Sequence, residues 1–168
     1  MSKAGSSREG QTSREAGTQS HGSGNGFQTA GLPKDKGPDV SSPSLGGVRV
    51  LVVDDDDNVR EAVRDYLLDC GADVVSVSSA TAALDVVAHA PPDVVISDVS
   101  MPERDGFWLI RAIRALPTAR GATVPAVAVS GRLHLADDLL AAGFTEVRGK
   151  PPDMAELATL IAALAARR

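Results

Sequence analysis

Asp54 and Asp55 close an apolar run that begins at Val48, and Asp98 directly follows Val94, Val95, Ile96 and Ser97. Ser130 follows Val127, Ala128 and Val129, and Lys150 stands immediately before Pro151. Three carboxylates, a hydroxyl and an ammonium thus each sit at the end of an apolar segment. If those segments are parallel strands of one sheet, their C-terminal ends lie together, and that edge is where open α/β sheets bind ligands. The set of groups is suited to a divalent cation and a phosphoryl group.

Asp98 is the centre of this reading. A carboxylate at a strand tip can ligate a cation, or it can attack phosphorus and form an acyl phosphate. Taken alone it could equally cap the loop that follows. Asp54 and Asp55 change the balance, because adjacent carboxylates repel unless positive charge lies between them and Asp98. Mg²⁺ fits, being a hard cation with octahedral oxygen coordination that retains several waters. The expected direct ligands are the side chains of Asp55 and Asp98, with the backbone carbonyl of Ser100 as a third and Asp54 acting through water. Asp57, just before Asn58 and a helical stripe, is expected to be the N-cap of the first helix. Lys150 supplies the counter-charge and Ser130 a hydrogen bond to a phosphoryl oxygen. Phosphoryl transfer is mostly positioning and charge stabilisation, which such groups provide.

The elements that must hold these residues alternate. Val48–Val53, Val74–Val77, Val94–Ser97 and Val124–Val129 read as strands, with a weaker fifth near Thr145–Arg148. Between them lie helical patterns. The first carries Val59, Val63, Tyr66 and Leu67 and ends at Gly71. Ala80–His89, Phe107–Leu116 and roughly Leu133–Ala142 follow. Asp153–Ala166 is last, with a capping box at Asp153 and Glu156 and with Leu157, Leu160, Ile161 and Leu164 facing inward. Pro102 and Gly106 shape the loop after Asp98, Gly106 by permitting an unusual backbone angle. Five βα units imply a flavodoxin-like, doubly wound five-stranded parallel sheet of order 2-1-3-4-5 with five helices. Its switch point falls between strands 1 and 3, the two that end in Asp54–Asp55 and Asp98.

Residues 1–46 are of different material, rich in Ser, Gly, Thr and Gln, and Phe27 is their one aromatic. Such a segment buries too little apolar surface to offset the ordering of its backbone, so a disordered tail is expected before a domain at 47–168. Asp and Glu number 22 against 17 Lys and Arg, which argues against a nucleic-acid binder. No stretch approaches the ~20 apolar residues of a membrane span, and the N-terminus lacks a signal-peptide core, so a cytoplasmic address is expected. Cys70 is the one cysteine and reads as a small buried apolar residue. His89 and His134 read as surface residues, His21 lies in the tail, and Phe107 and Trp108 read as core or partial surface. Asp105 is expected to shape the loop.

The runs around Asp54–Asp55, Asp98 to Gly106, Ser130–Gly131 and Lys150–Pro151 resemble, in order and spacing, the receiver domain of two-component response regulators. The likeness covers about Gly47 to Arg168. Leu45 to Asp55 and Ala142–Gly143–Phe144 also resemble receivers joined to hybrid histidine kinases. The resemblance implies that Asp98 accepts a phosphoryl group from a phosphohistidine on a sensor histidine kinase or phosphotransfer protein. Asp54 and Asp55 would hold Mg²⁺, and Ser130 and Lys150 would sense the phosphoryl group. Signalling would pass to a downstream protein partner or onward through a phosphorelay, with no direct contact to nucleic acid or membrane and no catalysis beyond the domain's own phosphorylation and dephosphorylation. A stand-alone receiver without an output domain is expected. Ser100 and Arg132 occupy positions that tune self-dephosphorylation in the family. Val147 departs from it, standing where receivers usually carry an aromatic. Two alternatives are a Mg²⁺-dependent phosphatase of the haloacid-dehalogenase type and a degenerate receiver that only binds. The first expects Asp-x-Asp at its nucleophile, where this chain has Asp98-Val99-Ser100. The intact acidic set argues against the second.

Overall fold

The computed structural model describes residues 43–167. Five parallel strands form one sheet of order β2-β1-β3-β4-β5: β1 (Arg49–Val53), β2 (Asp73–Val77), β3 (Val94–Asp98), β4 (Ala126–Ser130) and β5 (Glu146–Gly149). The helices among the described residues are α1 (Asp57–Asp69), α2 (Ala80–His89), α3 (Gly106–Arg114), α4 (Ala136–Ala142) and α5 (Met154–Ala165), with 3₁₀ turns at Thr118–Arg120 and Leu133–Leu135. This is the expected flavodoxin-like order.

Strands β3 and β4 are buried along their whole length, which is why their sequences read as continuous apolar runs rather than alternating ones. Successive side chains still face opposite layers. Leu51, Val53, Val95, Ala126 and Ala128 pack with Leu109, Ile110, Ile113, Leu139 and Phe144 on the side of α2, α3 and α4. Val50, Val52, Val94, Ile96, Val127 and Val129 pack with Val63, Leu67, Leu157, Ile161 and Leu164 on the side of α1 and α5. Cys70 is buried in the second layer, and burial pushes its thiol pKa up. Leu45, placed in the tail by composition, is fully buried there too, and its amide donates to the Cys70 carbonyl at 2.8 Å. The expected disorder of residues 1–42 lies outside the described residues, as does His21.

Several local expectations change. The N-cap of α1 is Asp56, not Asp57: its carboxylate accepts from the amides of Asn58 (2.9 Å) and Val59 (3.3 Å). A cap serves the second and third helical amides, and α1 begins at Asp57, so the residue before it holds that place. Asp153 caps α5 as expected, accepting from the Glu156 amide at 2.9 Å, but Glu156 does not complete the box. Its carboxylate pairs with Arg148 Nε of β5, 2.9 Å away. The fourth helix is shorter than its pattern, because residues Leu133–Leu135 take a 3₁₀ turn and no side chain caps α4. Gly106 is needed for close approach rather than for an unusual angle. A Cβ there would lie 2.8 Å from Val99 Cα and 2.9 Å from the Asp98 carbonyl oxygen. The left-handed residue of that loop is Glu103, at φ 61°.

Arg114, the last residue of α3, ties three segments together. Its guanidinium donates to the carbonyls of Ala122 and Val124 at 2.8 Å each, and to that of Gly143 at 2.8 and 3.0 Å. Burial lowers its pKa, yet the charge is spread over three carbonyl partners. Arg114→Met keeps the stem and strands those carbonyls, so it is expected to cost about 2–4 kcal/mol of stability in denaturant unfolding. A loss under ~0.5 kcal/mol would show that water replaces the bonds freely.

Candidate functional site

The register places the candidate residues on one edge. Val53 pairs with Ser97, Asp98 with Val129, and Ser130 with Gly149, so the C-terminal ends of β1, β3, β4 and β5 finish side by side. Asp54 follows β1 directly, Asp98 ends β3, Ser130 ends β4, and Lys150 follows β5. Lys150 Nζ lies 2.8 Å from Asp54 Oδ2, 96 positions away in sequence, and 3.2 Å from Asp98 Oδ2. The Lys150–Pro151 peptide bond is cis.

Both of those carboxylates are buried, Asp54 at 5 % exposure and Asp98 at 6 %. Asp98 Oδ1 accepts from the amides of Val99 (2.7 Å) and Ser100 (3.3 Å), which fixes the carboxylate at the mouth of its loop. Asp54 Oδ1 accepts from the Asp56 amide at 2.9 Å. Burial raises the Asp54 pKa above its ordinary 3.8, against the opposing pull of the Lys150 hydrogen bond. On Lys150, burial disfavours the charge, but the hydrogen bond and charge of Asp54 and the charge of Asp98 outweigh it, and its pKa rises.

Asp55 is exposed and, among the described residues, makes no hydrogen bond or ion pair of its own. Carboxylate oxygens of Asp54, Asp55 and Asp98 nonetheless lie within 4.8 Å of one another. Three carboxylates against one ammonium leave excess negative charge in a partly buried space. An all-oxygen donor set of that charge fits a hard divalent cation of the Mg²⁺ kind. No described residue donates to the carbonyl of Ser100, two residues beyond Asp98.

Ser130 is buried, and its Oγ accepts from the Arg132 amide at 3.0 Å, which turns the chain away from the strand. Arg132 itself is exposed, on the rim of a cleft of about 390 Å³ that Val99, Ser100, Met101, Pro102 and Phe107 also line. Val147 is half-buried against the α2–α3–α4 layer. Asp105 caps α3 by accepting from the Trp108 amide at 2.8 Å, which is how it shapes its loop. Trp108 is half-buried beneath the Arg104 guanidinium, 4.9 Å from the ring centre. His89 and His134 are exposed and belong to no part of the site.

Sequence reasoning missed one cation. Arg60, on the first turn of α1, reaches back to donate to the Asp54 carbonyl at 2.7 Å, and it also pairs with the Asp57 carboxylate. The three-residue spacing from Asp57 to Arg60 is a readable helix-surface pair. Its reach to the strand tip is not readable, since it depends on the angle at which α1 leaves β1.

The sequence matches the response regulator receiver domain over residues 50–162. It is 39 % identical over 120 residues to a 14.6 kDa protein of Leptolyngbya boryana encoded in the sodA1 3′ region, covering 70 % of this chain and 90 % of that one. It is 35 % identical over 122 residues to the response regulator MprA of a Mycobacterium species, covering 71 % of this chain but only 51 % of MprA. Among solved structures it is similar to a response regulator from Chloroflexus aurantiacus, with TM-score 0.66 and 30 % identity over 71 % of this chain and 98 % of that one. It is also similar to the receiver domain of the sensor histidine kinase PA1611 from Pseudomonas aeruginosa, solved with magnesium in its active-site cleft. There the TM-score is 0.66 and the identity 25 %, over 72 % of this chain and 99 % of that one. No helix among the described residues is long and apolar enough to cross a membrane. With its strand order, its acidic edge and these relatives in agreement, the chain belongs to the response regulator receiver family.

Proposed function

We propose that Asp98 is a phosphoacceptor. A carboxylate oxygen attacks the phosphorus of a phosphohistidine on a sensor histidine kinase or phosphotransfer protein. The phosphorus–nitrogen bond breaks, the imidazole leaves with the electron pair, and an acyl phosphate forms on Asp98. Attack of water on that phosphorus later returns the carboxylate and inorganic phosphate. The single observation that carries this reading is the Lys150 ammonium held between the buried carboxylates of Asp54 and Asp98. Incoming phosphoryl oxygens then meet a fixed positive charge with no reorganisation.

Mg²⁺, bound by Asp55 and Asp98 with Asp54 and the Ser100 carbonyl beside them, would offset the charge shared by the carboxylates and the phosphoryl group. The acidic cluster supports this, and magnesium in the cleft of the PA1611 receiver is a parallel in a relative. Ser130 Oγ still has a proton to donate while it accepts from Arg132, so it can bond a phosphoryl oxygen without releasing its loop. The phosphorylated domain then signals to a protein partner in a two-component pathway in the cytoplasm. The domain assists only its own phosphorylation and dephosphorylation, so it turns over no separate substrate.

Incubation with acetyl phosphate and Mg²⁺ is expected to add one phosphoryl group to the intact protein by mass spectrometry, and none to Asp98→Asn. Labelling of equal extent in the variant, or sustained hydrolysis of an aryl phosphate by wild type, would refute the assignment.

The pH dependence follows from Asp54. A cation needs the carboxylate deprotonated, and burial holds this carboxyl above the ordinary 3.8. Mg²⁺ affinity is therefore expected to fall, with protons released on binding, as pH drops toward that raised pKa. In the metal-free protein the sign is opposite. The folded state retains the Asp54 proton more readily than the unfolded chain, so stability from this group is lost as pH rises through its folded pKa. Calorimetric Mg²⁺ titrations across acidic pH check the first statement. Affinity that stays flat down to pH 3.8 would contradict it.

A further inference from the structure

Arg60 is a half-buried cation at an acidic edge, with 15 % of its side chain exposed against 77 % for its partner Asp57. A surface pair three residues apart contributes little to stability, so the ion pair alone does not account for that burial. The bond to the Asp54 carbonyl is the more specific contact. Helix α1 takes its first backbone bond at the Asp56 carbonyl, from the Arg60 amide at 2.9 Å. The Asp54 carbonyl lies past the end of β1 and before that bond, and Arg60 Nη1 supplies its donor at 2.7 Å.

That carbonyl shares a rigid plane with the amide of Asp55. Fixing the plane fixes the Cα from which the Asp55 side chain departs and the axis about which it turns, and Asp55 has no other described bond to aim it. The other three acids of the run are occupied: Asp54 with Lys150, Asp56 with the start of α1, and Asp57 with Arg60. We propose that Arg60 is a positioning residue that holds the Asp54–Asp55 peptide so that the Asp55 carboxylate stays beside those of Asp54 and Asp98 as a cation site. This role rests on the Mg²⁺ reading above. It opposes the simplest electrostatic expectation, under which a guanidinium near the site weakens cation binding. Asp57 already offsets the charge, so the loss of orientation outweighs the gain from removing it.

The test is isothermal titration calorimetry with MgCl₂ on the full chain as wild type, Arg60→Lys, Arg60→Met and Arg114→Met, each with its melting temperature. Lysine keeps the charge and the stem but lacks the fork that spans a carbonyl and a carboxylate. Both Arg60 variants are expected to bind Mg²⁺ roughly tenfold more weakly, the scale found when a group that orients a metal ligand is removed. Arg114→Met, remote from the site, is expected to lower the melting temperature and leave Mg²⁺ affinity unchanged. The metal-free Arg60 variants should also show a displaced Asp55 amide resonance. Wild-type affinity in Arg60→Lys, tighter binding in Arg60→Met, or an equal loss in Arg114→Met would each overturn the positioning role while leaving the metal site standing. A wild type that takes up no Mg²⁺ would overturn the metal reading and this role with it.

Discussion

Two buried carboxylates on neighbouring strands cannot both ionise cheaply without compensation, and the rest of the edge is arranged around that constraint. Lys150 sits between Asp54 and Asp98 and reaches both. The ammonium is itself partly buried, and its pKa rises because the two carboxylates outweigh the cost of desolvation. The charge on Lys150 is therefore sustained by the two carboxylates that it reaches. Asp54 shows that the compensation is incomplete, since burial still raises its pKa despite the contact with Lys150. Asp55 brings a third carboxylate to the one ammonium there, while backbone amides hold those of Asp54 and Asp98 in place.

The sheet makes this arrangement possible. Parallel pairing lines up the ends of β1, β3, β4 and β5, and the order β2-β1-β3-β4-β5 puts β1 and β3 adjacent. Helices leave those two strands toward opposite layers, α1 to one face and α3 to the other. A crevice opens between them, and the Asp54 and Asp98 side chains meet in it. Gly106 lets α3 start against the Val99 backbone, where any Cβ would collide, so the loop after Asp98 stays tight to the strand tip. Packing on both faces thus sets the strand tip from which the Asp98 carboxylate meets its two amides and Lys150.

Much of this was legible in the sequence, because burial on two faces leaves a strong signal. The runs ending at Val53, Ser97 and Val129 are apolar for that reason, and an acidic or hydroxylic residue directly after such a run stands out. Ala80–His89 was readable to the residue, bounded by Ser79, whose hydroxyl caps it, and by Pro91. The misplaced features have one kind of cause. Whether Asp56 or Asp57 caps α1 depends on a single residue of helix phase, and four consecutive acids carry no contrast to set it. Glu156 fits a capping box by spacing, but the pattern says nothing of Arg148 arriving from β5 to within 2.9 Å of the carboxylate. Leu45 looked like tail because its neighbours are Ser and Gly; its burial depends on Cys70, 25 residues onward, which a local reading does not see. Arg60 was invisible to pattern for the same reason, since its partner is a backbone carbonyl.

The two sides of the site are held with unequal firmness. On the side of β1 and β3, three acids are anchored: Asp56 caps α1, Asp105 caps α3, and Asp98 accepts two amides. On the side of β4 and β5, Ser130 Oγ holds only the Arg132 amide, α4 has no side-chain cap, and β5 is half-buried throughout. Leu133 and Leu140 stand exposed on that side, at 56 % and 44 %. Segments with few buried contacts open at lower free energy than a consolidated core. Arg114 limits this looseness at the far end by fastening Gly143 to α3, so α4 is secured at its C-terminus and free of caps at its N-terminus. The strand tips therefore meet a firmly held wall on the side of β1 and β3 and a weakly held turn on the side of β4 and β5.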